Sequence, residues 1–430
     1  MVSYLSTSVT LCQRNKYSSF FRTVPSDKHQ ARAIVALLKR FGWNYASFVH
    51  SDSEYGTTGY QLVKQAIEQT GEICLADPLT IYNEQFETDD YKKVVKTLLH
   101  GNNETKENGF LKPKVVIVFA DRVPAGKLLQ AAKDLEVKDK LLWIGSDAWA
   151  SRESVVENRE EFVDGAIAIM PLRRILPAYN EYFKTLITKK NHRNPWFDEY
   201  LEVYHQCTNL EEKMDTLPHC REKQALYRDQ VYIHFVRDAV YAFAHAVHNL
   251  HLDVCGSFDG EHRLCPAFKE QVFEQLVSYI ANVSFVDTDE PNYTFRFYHH
   301  NDSYSQGPMP HDGPPRYSII NFAKNQDLYD WNNVGTYVDG EIIDIEEGFA
   351  ASYAPKARVD ACSRKECVLN EIKILDTDDK CCWHCVNCTS FQKRINEYEC
   401  RDCKPGERSQ INLDNETISC VLIEEVSISF

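Results

Sequence analysis

Along the first third of the chain the apolar positions switch between two periods. In "DKHQARAIVALLKRFG" (27–42), Ala31, Ile34, Val35, Leu37, Leu38 and Phe41 recur on one helical stripe, and Gly42 follows as a helix-ending glycine. "NYASFVHSD" (44–52) reads as a strand, "YGTTGYQLVKQAIEQTG" (55–71) as a helix stopped by Gly71, and "EICLADPLTIY" (72–82) as another strand. "KVVIVFAD" (114–121) is a continuous apolar run of the kind buried in a parallel sheet. "PAGKLLQAAKDLEV" (124–137) then reads as a helix opening on proline, and "LLWIGSDAW" (141–149) as a strand with a polar end. This alternation predicts a doubly wound α/β layer. Such sheets take ligands beyond the carboxyl ends of their strands, so the stretches to inspect are Ser51 to Tyr55, Asp121 to Arg122, and Ser146 to Asp147. None carries a glycine-rich phosphate fingerprint, so a nucleotide is not indicated.

Further on, "DQVYIHFVRDAVYAFAHAVHNLH" (229–251) has helical period. His245, His248 and His251 recur there without an H-E-x-x-H pattern, and the stripe of Val240, Phe243, Ala244 and Val247 beside them predicts an ordinary packed helix, not a metal site. "PNYTFRFYHHNDSYSQGP" and "PRYSIINF" are strand-like. After "YAPKARVDACSR" the apolar periodicity stops. Residues 362–420 hold nine of the 15 cysteines and little else from which to build a core, so crosslinks must supply their stability.

Those cysteines allow two readings. The pairs Cys385/Cys388 and Cys400/Cys403 are two C-x-x-C motifs that could hold a tetrahedral zinc, or they belong to an oxidised framework. The net charge of -15 supplies no basic face for nucleic acid, the usual partner of a zinc ribbon. Cys207 with Cys220 and Cys255 with Cys265 bracket short polar loops of the kind a disulfide closes. N-x-S/T sequons stand at Asn103, Asn282, Asn292, Asn301, Asn387 and Asn415. Loops and sequons together favour an extracellular, oxidised protein. The chain opens without a basic region followed by an apolar core, and it has no uninterrupted apolar run of about 18 residues. A signal and membrane segments are therefore expected outside this chain.

Several stretches carry a family resemblance: "FFRTVPSDKHQARAIV", "FGWNYASFVHSDSEYGTTG", "IGSDAWASR", "NPWF" (194–197), "AVYAFAHAVHNLH", "VGTYVDGEI" and "CCWHCVNC". In this order the chain resembles the ectodomain of a class C G-protein-coupled receptor, and within that class the metabotropic glutamate receptors. The resemblance implies an α/β fold, a bilobed Venus flytrap of periplasmic-binding-protein type, followed by a small nine-cysteine domain. Residues 1–21 and 174–325 would form part of ligand-binding lobe 1, 22–173 and 326–355 lobe 2, and 362–420 the nine-cysteine domain. The first part of lobe 1 and the transmembrane domain would lie outside the chain. The family pattern pairs Cys74 with Cys381, Cys362 with Cys382, Cys367 with Cys385, Cys388 with Cys400 and Cys403 with Cys420, beside the Cys207–Cys220 and Cys255–Cys265 loops. Cys12 is left over without an assignment.

By the same resemblance, Thr7 with Ser6 would hold the α-carboxylate of an amino acid, and Asp27, Asp147 and the Tyr55 ring would surround its ammonium. Arg152 and Lys269 would serve the distal carboxylate, which favours glutamate over neutral amino acids. The implied function is that of an extracellular ligand-binding region at the plasma membrane. Cleft closure on L-glutamate would signal through a homodimer and the cysteine domain to membrane helices and a heterotrimeric G protein, with no cofactor and no enzymatic step. The alternative is a class C orphan receptor or one sensing another amino acid. Taken without the resemblance, Asp147 reads as a helix N-cap, Arg152 and Lys269 as solvated surface charges, and Tyr55 as a packing residue. Two departures are present. Asp121 and Arg122 replace smaller or uncharged residues near the family's cleft, where a second cation is expected to enlarge or distort the pocket, and "SDAW" replaces "SDGW", a minor change unless that backbone position needs a positive φ.

Overall fold

The computed structural model describes residues 1–71, 73–82, 86–100, 113–187, 194–197, 199–200, 232–256, 265–287, 290–291, 293–298, 311–326, 328–353, 367–376, 379–412 and 417–423. Strand β1 (Val2–Ser3) pairs in parallel with β2 (Phe21–Arg22), and a 3-10 turn at Val9–Cys12 lies between them. Next come α1 (Asp27–Phe41), β3 (Tyr45–Ser51), α2 (Glu54–Thr70), β4 (Cys74–Leu75), β5 (Leu79–Ile81), α3 (Thr88–His100) and β6 (Val115–Phe119). The alternation continues with α4 (Arg122–Asp134), β7 (Leu142–Gly145), the single turns α5 (Glu153–Val156) and α6 (Glu160–Val163), and β8 (Ile167–Pro171). Helices α7 (Pro177–Ile187), α8 (Ile233–Cys255) and α9 (Pro266–Ala281) precede an antiparallel pair, β9 (Ser284–Val286) with β10 (Thr294–Arg296). Then follow β11 (Arg316–Asn325), β12 (Leu328–Val338), β13 (Glu341–Ile345) and α10 (Glu347–Tyr353). The end of the chain makes three antiparallel two-stranded ladders: β14 (Glu371–Asp376) with β15 (Asp379–Asn387), β16 (Gln392–Asn396) with β17 (Glu399–Asp402), and β18 (Glu407–Asn412) with β19 (Thr417–Leu422).

The chain divides into two compact units. One comprises Met1–Gln30, Met170–Ser318 and Thr336–Ile343, the other Ala31–Ile169, Ile319–Gly335 and Asp344–Phe430. A nine-stranded sheet runs β13-β12-β11-β8-β7-β6-β3-β4, with β5 also on β3; strands β3 to β7 lie wholly in the second unit, and the pairings among β3 to β8 are parallel. Every residue of β3, β6 and β8 is buried, as continuous apolar runs require when both faces are covered. Val49, Val116, Val118, Leu128, Leu129, Trp143 and Trp149 belong to one core cluster. Gly42 and Gly71 end their helices at φ 66, the left-handed cap that glycine adopts without a Cβ penalty. The stretch 72–82 reads as one strand in the sequence yet forms two, β4 and β5, because Pro78 between them has no N–H to give the ladder.

Helix α8 departs from its reading. Its buried residues include Ala239, Ala242, Ala246 and Leu250, of which Ala242 and Ala246 pack with Phe285, Phe295 and Val283. The stripe expected to be packed is the open one: Val240 is 60% exposed, Phe243 37% and Val247 36%. The helix is apolar on two faces, and the described residues cover only the small-residue face, where alanines allow close approach.

Candidate functional site

In the second unit the three predicted strand ends converge. Neighbouring β6 and β7 run in parallel with Val118 opposite Gly145, and β3 flanks β6 on its other side, so the residues leaving these strands emerge together. Tyr55, in the first turn of α2, donates its hydroxyl to Asp147 Oδ1 at 2.6 Å, and its ring packs against Phe119 at a centroid distance of 4.6 Å. Asp147 is buried at 7% exposure, and Trp149 braces the same segment by donating Nε1–H to the Val118 carbonyl at 3.0 Å. Gly145 makes that brace possible, since a Cβ there would come within 2.6 Å of the Trp149 ring. Ala148 is not among the residues with positive φ, so alanine in "SDAW" carries no backbone strain. Arg152 is exposed and stands just before α5. The Asp121 carboxylate receives the hydroxyls of Ser51 and Ser53, while Arg122 is exposed at the start of α4.

The first unit holds the remaining candidates. Ser6 and Thr7 are half-buried, and the Ser6 N–H donates to Ser3 Oγ at 3.1 Å. Thr7 is tied to the start of α1 by the Asp27 N–H, which donates to the Thr7 carbonyl at 3.0 Å, and Asp27 itself is buried. Lys269 is exposed in the first turn of α9, four residues beyond Cys265 of the Cys255–Cys265 disulfide. Within this unit the structure thus joins Thr7 to Asp27 through the backbone, and within the other it joins Tyr55 to Asp147 through their side chains.

Sequence reasoning missed what pins the Ser6–Thr7 segment. Arg22, fully buried, donates Nη1–H to the carbonyls of Ser6 at 3.2 Å and Ser8 at 2.8 Å, and Nε–H to Asp312 Oδ1 at 2.7 Å. Burial alone would raise the Asp312 carboxyl. The charges of Arg22, His311 and Lys28, with the Arg22 hydrogen bond, outweigh it and hold Asp312 well below the usual carboxylate range. The same guanidinium accounts for Cys12. Arg22 Nη2 donates to its Sγ at 2.9 Å, the thiol is buried and unpaired, and desolvation followed by the Asp312 charge pushes its pKa up, which makes it a packed thiol of low reactivity. A metal ion held by Cys12, His311 and Asp312 would have to share this space with a guanidinium, which opposes a second cation. Also unforeseen is a cluster in which Arg174 and Arg237 each pair with Asp238 and Asp287, with Arg174 stacked over Tyr293. These partners lie up to 290 residues apart, and no local pattern marks them.

Five disulfides are described: Cys74–Cys381, Cys255–Cys265, Cys367–Cys385, Cys388–Cys400 and Cys403–Cys420. All four cysteines of the two C-x-x-C motifs are in disulfides, Cys388 and Cys400 with each other, Cys385 with Cys367 and Cys403 with Cys420, so none of the four is a thiolate for zinc. The expected pairs Cys207–Cys220 and Cys362–Cys382 lie outside the described residues, as do the sequons at Asn103, Asn292, Asn301 and Asn415. Asn282 and Asn387 are described and exposed. Among the described residues, no helix is long and apolar enough to cross a membrane.

Comparison with known proteins bears on what these parts form. The family model described as "Receptor family ligand binding region" matches residues 1–296. Metabotropic glutamate receptor 4 of Mus musculus is 30% identical over 410 residues, covering 94% of this chain and 42% of that protein. Metabotropic glutamate receptor 8 of Mus musculus is 30% identical over 418 residues, 96% of this chain and 43% of that protein, and the Homo sapiens receptor 8 is 29% identical over the same length. The chain thus spans about two fifths of the length of these relatives. The family is one of receptor ligand-binding regions and not of enzymes. With a buried parallel sheet whose strand ends gather an aromatic hydroxyl and a carboxylate, and with disulfide-bonded ladders after it, this chain belongs to the receptor ligand-binding-region family and resembles the metabotropic glutamate receptors along nearly its whole length.

Proposed function

We propose that the chain is the extracellular ligand-binding region of a plasma-membrane G-protein-coupled receptor that takes L-glutamate or a closely related acidic amino acid. The observation that carries this reading is the Tyr55–Asp147 pair, a buried carboxylate and an aromatic ring beyond the ends of β7 and β3, the two strands that flank β6. An ammonium placed there gains opposite charge from Asp147 and cation–π attraction from Tyr55. The hydroxyls of Ser6 and Thr7, on a segment anchored by Arg22, suit the α-carboxylate. Arg152 and Lys269, both exposed cations, suit the distal one.

Thr7 and Lys269 belong to one unit and Tyr55, Asp147 and Arg152 to the other, while Asp27, within the 22–173 range expected for lobe 2, falls in the same unit as Thr7. In this reading the two units act as the family's two lobes, closing on the ligand so that its charges are satisfied only in the closed state. Each charge-assisted hydrogen bond made only on closure contributes about 1.5–3 kcal/mol, so a few of them shift the population by several powers of ten. Closure in a homodimer would then reach membrane helices and a heterotrimeric G protein.

Isothermal titration of the secreted, oxidised protein with glutamate, alanine and glutarate tests the assignment. Glutamate is expected to bind, and Lys269→Ala to weaken it about tenfold while leaving neutral amino acids unaffected. Equal binding of neutral and acidic amino acids would move the reading to a receptor for another amino acid. Absence of any amino-acid binding would end it.

A further inference from the structure

Resting on the amino-acid-binding reading, we propose that Asp121 is a positioning residue whose carboxylate fixes the start of α2 so that Tyr55 meets Asp147. Asp121 sits at the N-cap position of α4, yet its side chain makes no cap hydrogen bond there. It serves the β3–α2 turn instead. Its Oδ2 accepts from Ser53 Oγ at 2.6 Å and from Ser51 Oγ at 3.0 Å, and its own N–H donates to Ser51 Oγ at 3.4 Å. Ser53 is in turn the N-cap of α2, its hydroxyl oxygen accepting from the Gly56 N–H at 3.3 Å. One carboxylate oxygen therefore gathers the last residue of β3 and the cap of α2 onto the end of β6.

Two glycines make this small network decisive. A Cβ on Gly56 would come 2.3 Å from the Ser51 carbonyl oxygen, and one on Gly59 would come 2.2 Å from the Phe119 ring. The first turns of α2 therefore lie close on β3 and β6 at these two glycines, while the Tyr60 ring packs on Phe48 and His50 one turn further along. At the capped end, ahead of Tyr60, the Asp121–Ser53 bond fixes where the helix starts. Tyr55 is two residues past Ser53, and its ring already rests on Phe119, so a small rotation of the helix start carries its hydroxyl off Asp147. The carboxylate that looks in the sequence like a foreign charge near the ligand thus acts on the ligand's neighbour.

The test replaces Tyr55 with 3-fluorotyrosine in the oxidised full chain and follows its ¹⁹F resonance together with glutamate affinity. Asp121→Ala is expected to move the resonance and to weaken glutamate about five- to tenfold. Asp121→Asn, which keeps an oxygen able to accept both hydroxyls, is expected to restore the resonance and bring affinity within about twofold. Ser53→Ala should act in the direction of Asp121→Ala and add little to it in the double variant. A resonance unmoved by Asp121→Ala, with the melting temperature intact, overturns the proposal. So does an Asp121→Asn variant as impaired as Asp121→Ala, since that pattern means the charge itself matters to the ligand. If the parent protein binds no amino acid, the functional reading fails, while the resonance still decides whether Asp121 sets Tyr55.

Discussion

Strands β3 to β7 of the parallel sheet and the disulfide-bonded ladders belong to the same unit, and sheet and ladders are held together by opposite means. Across β3, β6 and β8 every side chain is buried. In 367–423, Cys381 and Cys388 are buried, while Phe391, Tyr398, Ile411 and Leu422 are exposed. In the first region apolar area removed from water does the stabilising. In the second, the half-cystines are the core, and the chain closes one crosslink after another because it has no second layer to pack against. Apolar content is therefore a poor guide to where stability resides, since both regions contain large hydrophobic side chains and only one of them buries these.

The widest test of that contrast is a pair of truncations. Trp143→Ala, at a site 1% exposed, is expected to cost about 3–5 kcal/mol in denaturant unfolding, whereas Ile411→Ala, at a site 44% exposed, should stay within about 0.5 kcal/mol. Comparable losses at the two sites would erase the distinction. The other unit sharpens the picture with a third device, the buried Arg22–Asp312 pair. Arg22→Leu should cost about 3–5 kcal/mol, because Asp312 is left charged and unpaired in the interior. Its pH signature has a definite sign. The folded carboxyl is held below its unfolded value, so the pair's contribution is complete at neutral pH and drains away as pH falls below about 4 toward the folded pKa. The leucine variant should lose that part of the acid limb, and an unchanged pH–stability curve would refute the assignment.

Opening a single crosslink, with Cys388 and Cys400 both replaced by serine, should cost about 2–3 kcal/mol for a loop of 12 residues. The loss should appear as faster hydrogen exchange in β16 and β17, with protection in β6 untouched. The smallest effect belongs to the site. Tyr55→Phe should change stability by about 1 kcal/mol or less, while weakening an amino acid more than its analogue lacking the amine. Equal weakening of both would detach Tyr55 from the ammonium.

What was legible in the sequence follows the same division. Strand β6 and helix α2 could be read because both faces of one and one face of the other are buried by neighbours close in the chain, and Gly42 and Gly71 mark helix ends by local backbone geometry. The stretches holding Tyr55 and Asp147 are marked for inspection because such sheets bind ligands at strand ends, while a ligand role for the two residues is implied by the family resemblance alone. The packing of α8 could not be read, since a helix with two apolar faces does not say which one its neighbours take. Nor could Arg22, the Arg174 cluster or the Asp121 network be foreseen. Each includes a contact between polar residues 64 or more positions apart whose types are individually ordinary. The second cation feared at Arg122 is exposed, and its aspartate neighbour is spent on two serines.

The Cys74–Cys381 bond joins β4 to β15 across 307 positions, with Cys381 tucked against Tyr45. Any single proteolytic cut between those two cysteines therefore yields two pieces that still travel as one molecule. A nick in that span would be invisible on a denaturing gel until a reductant is added.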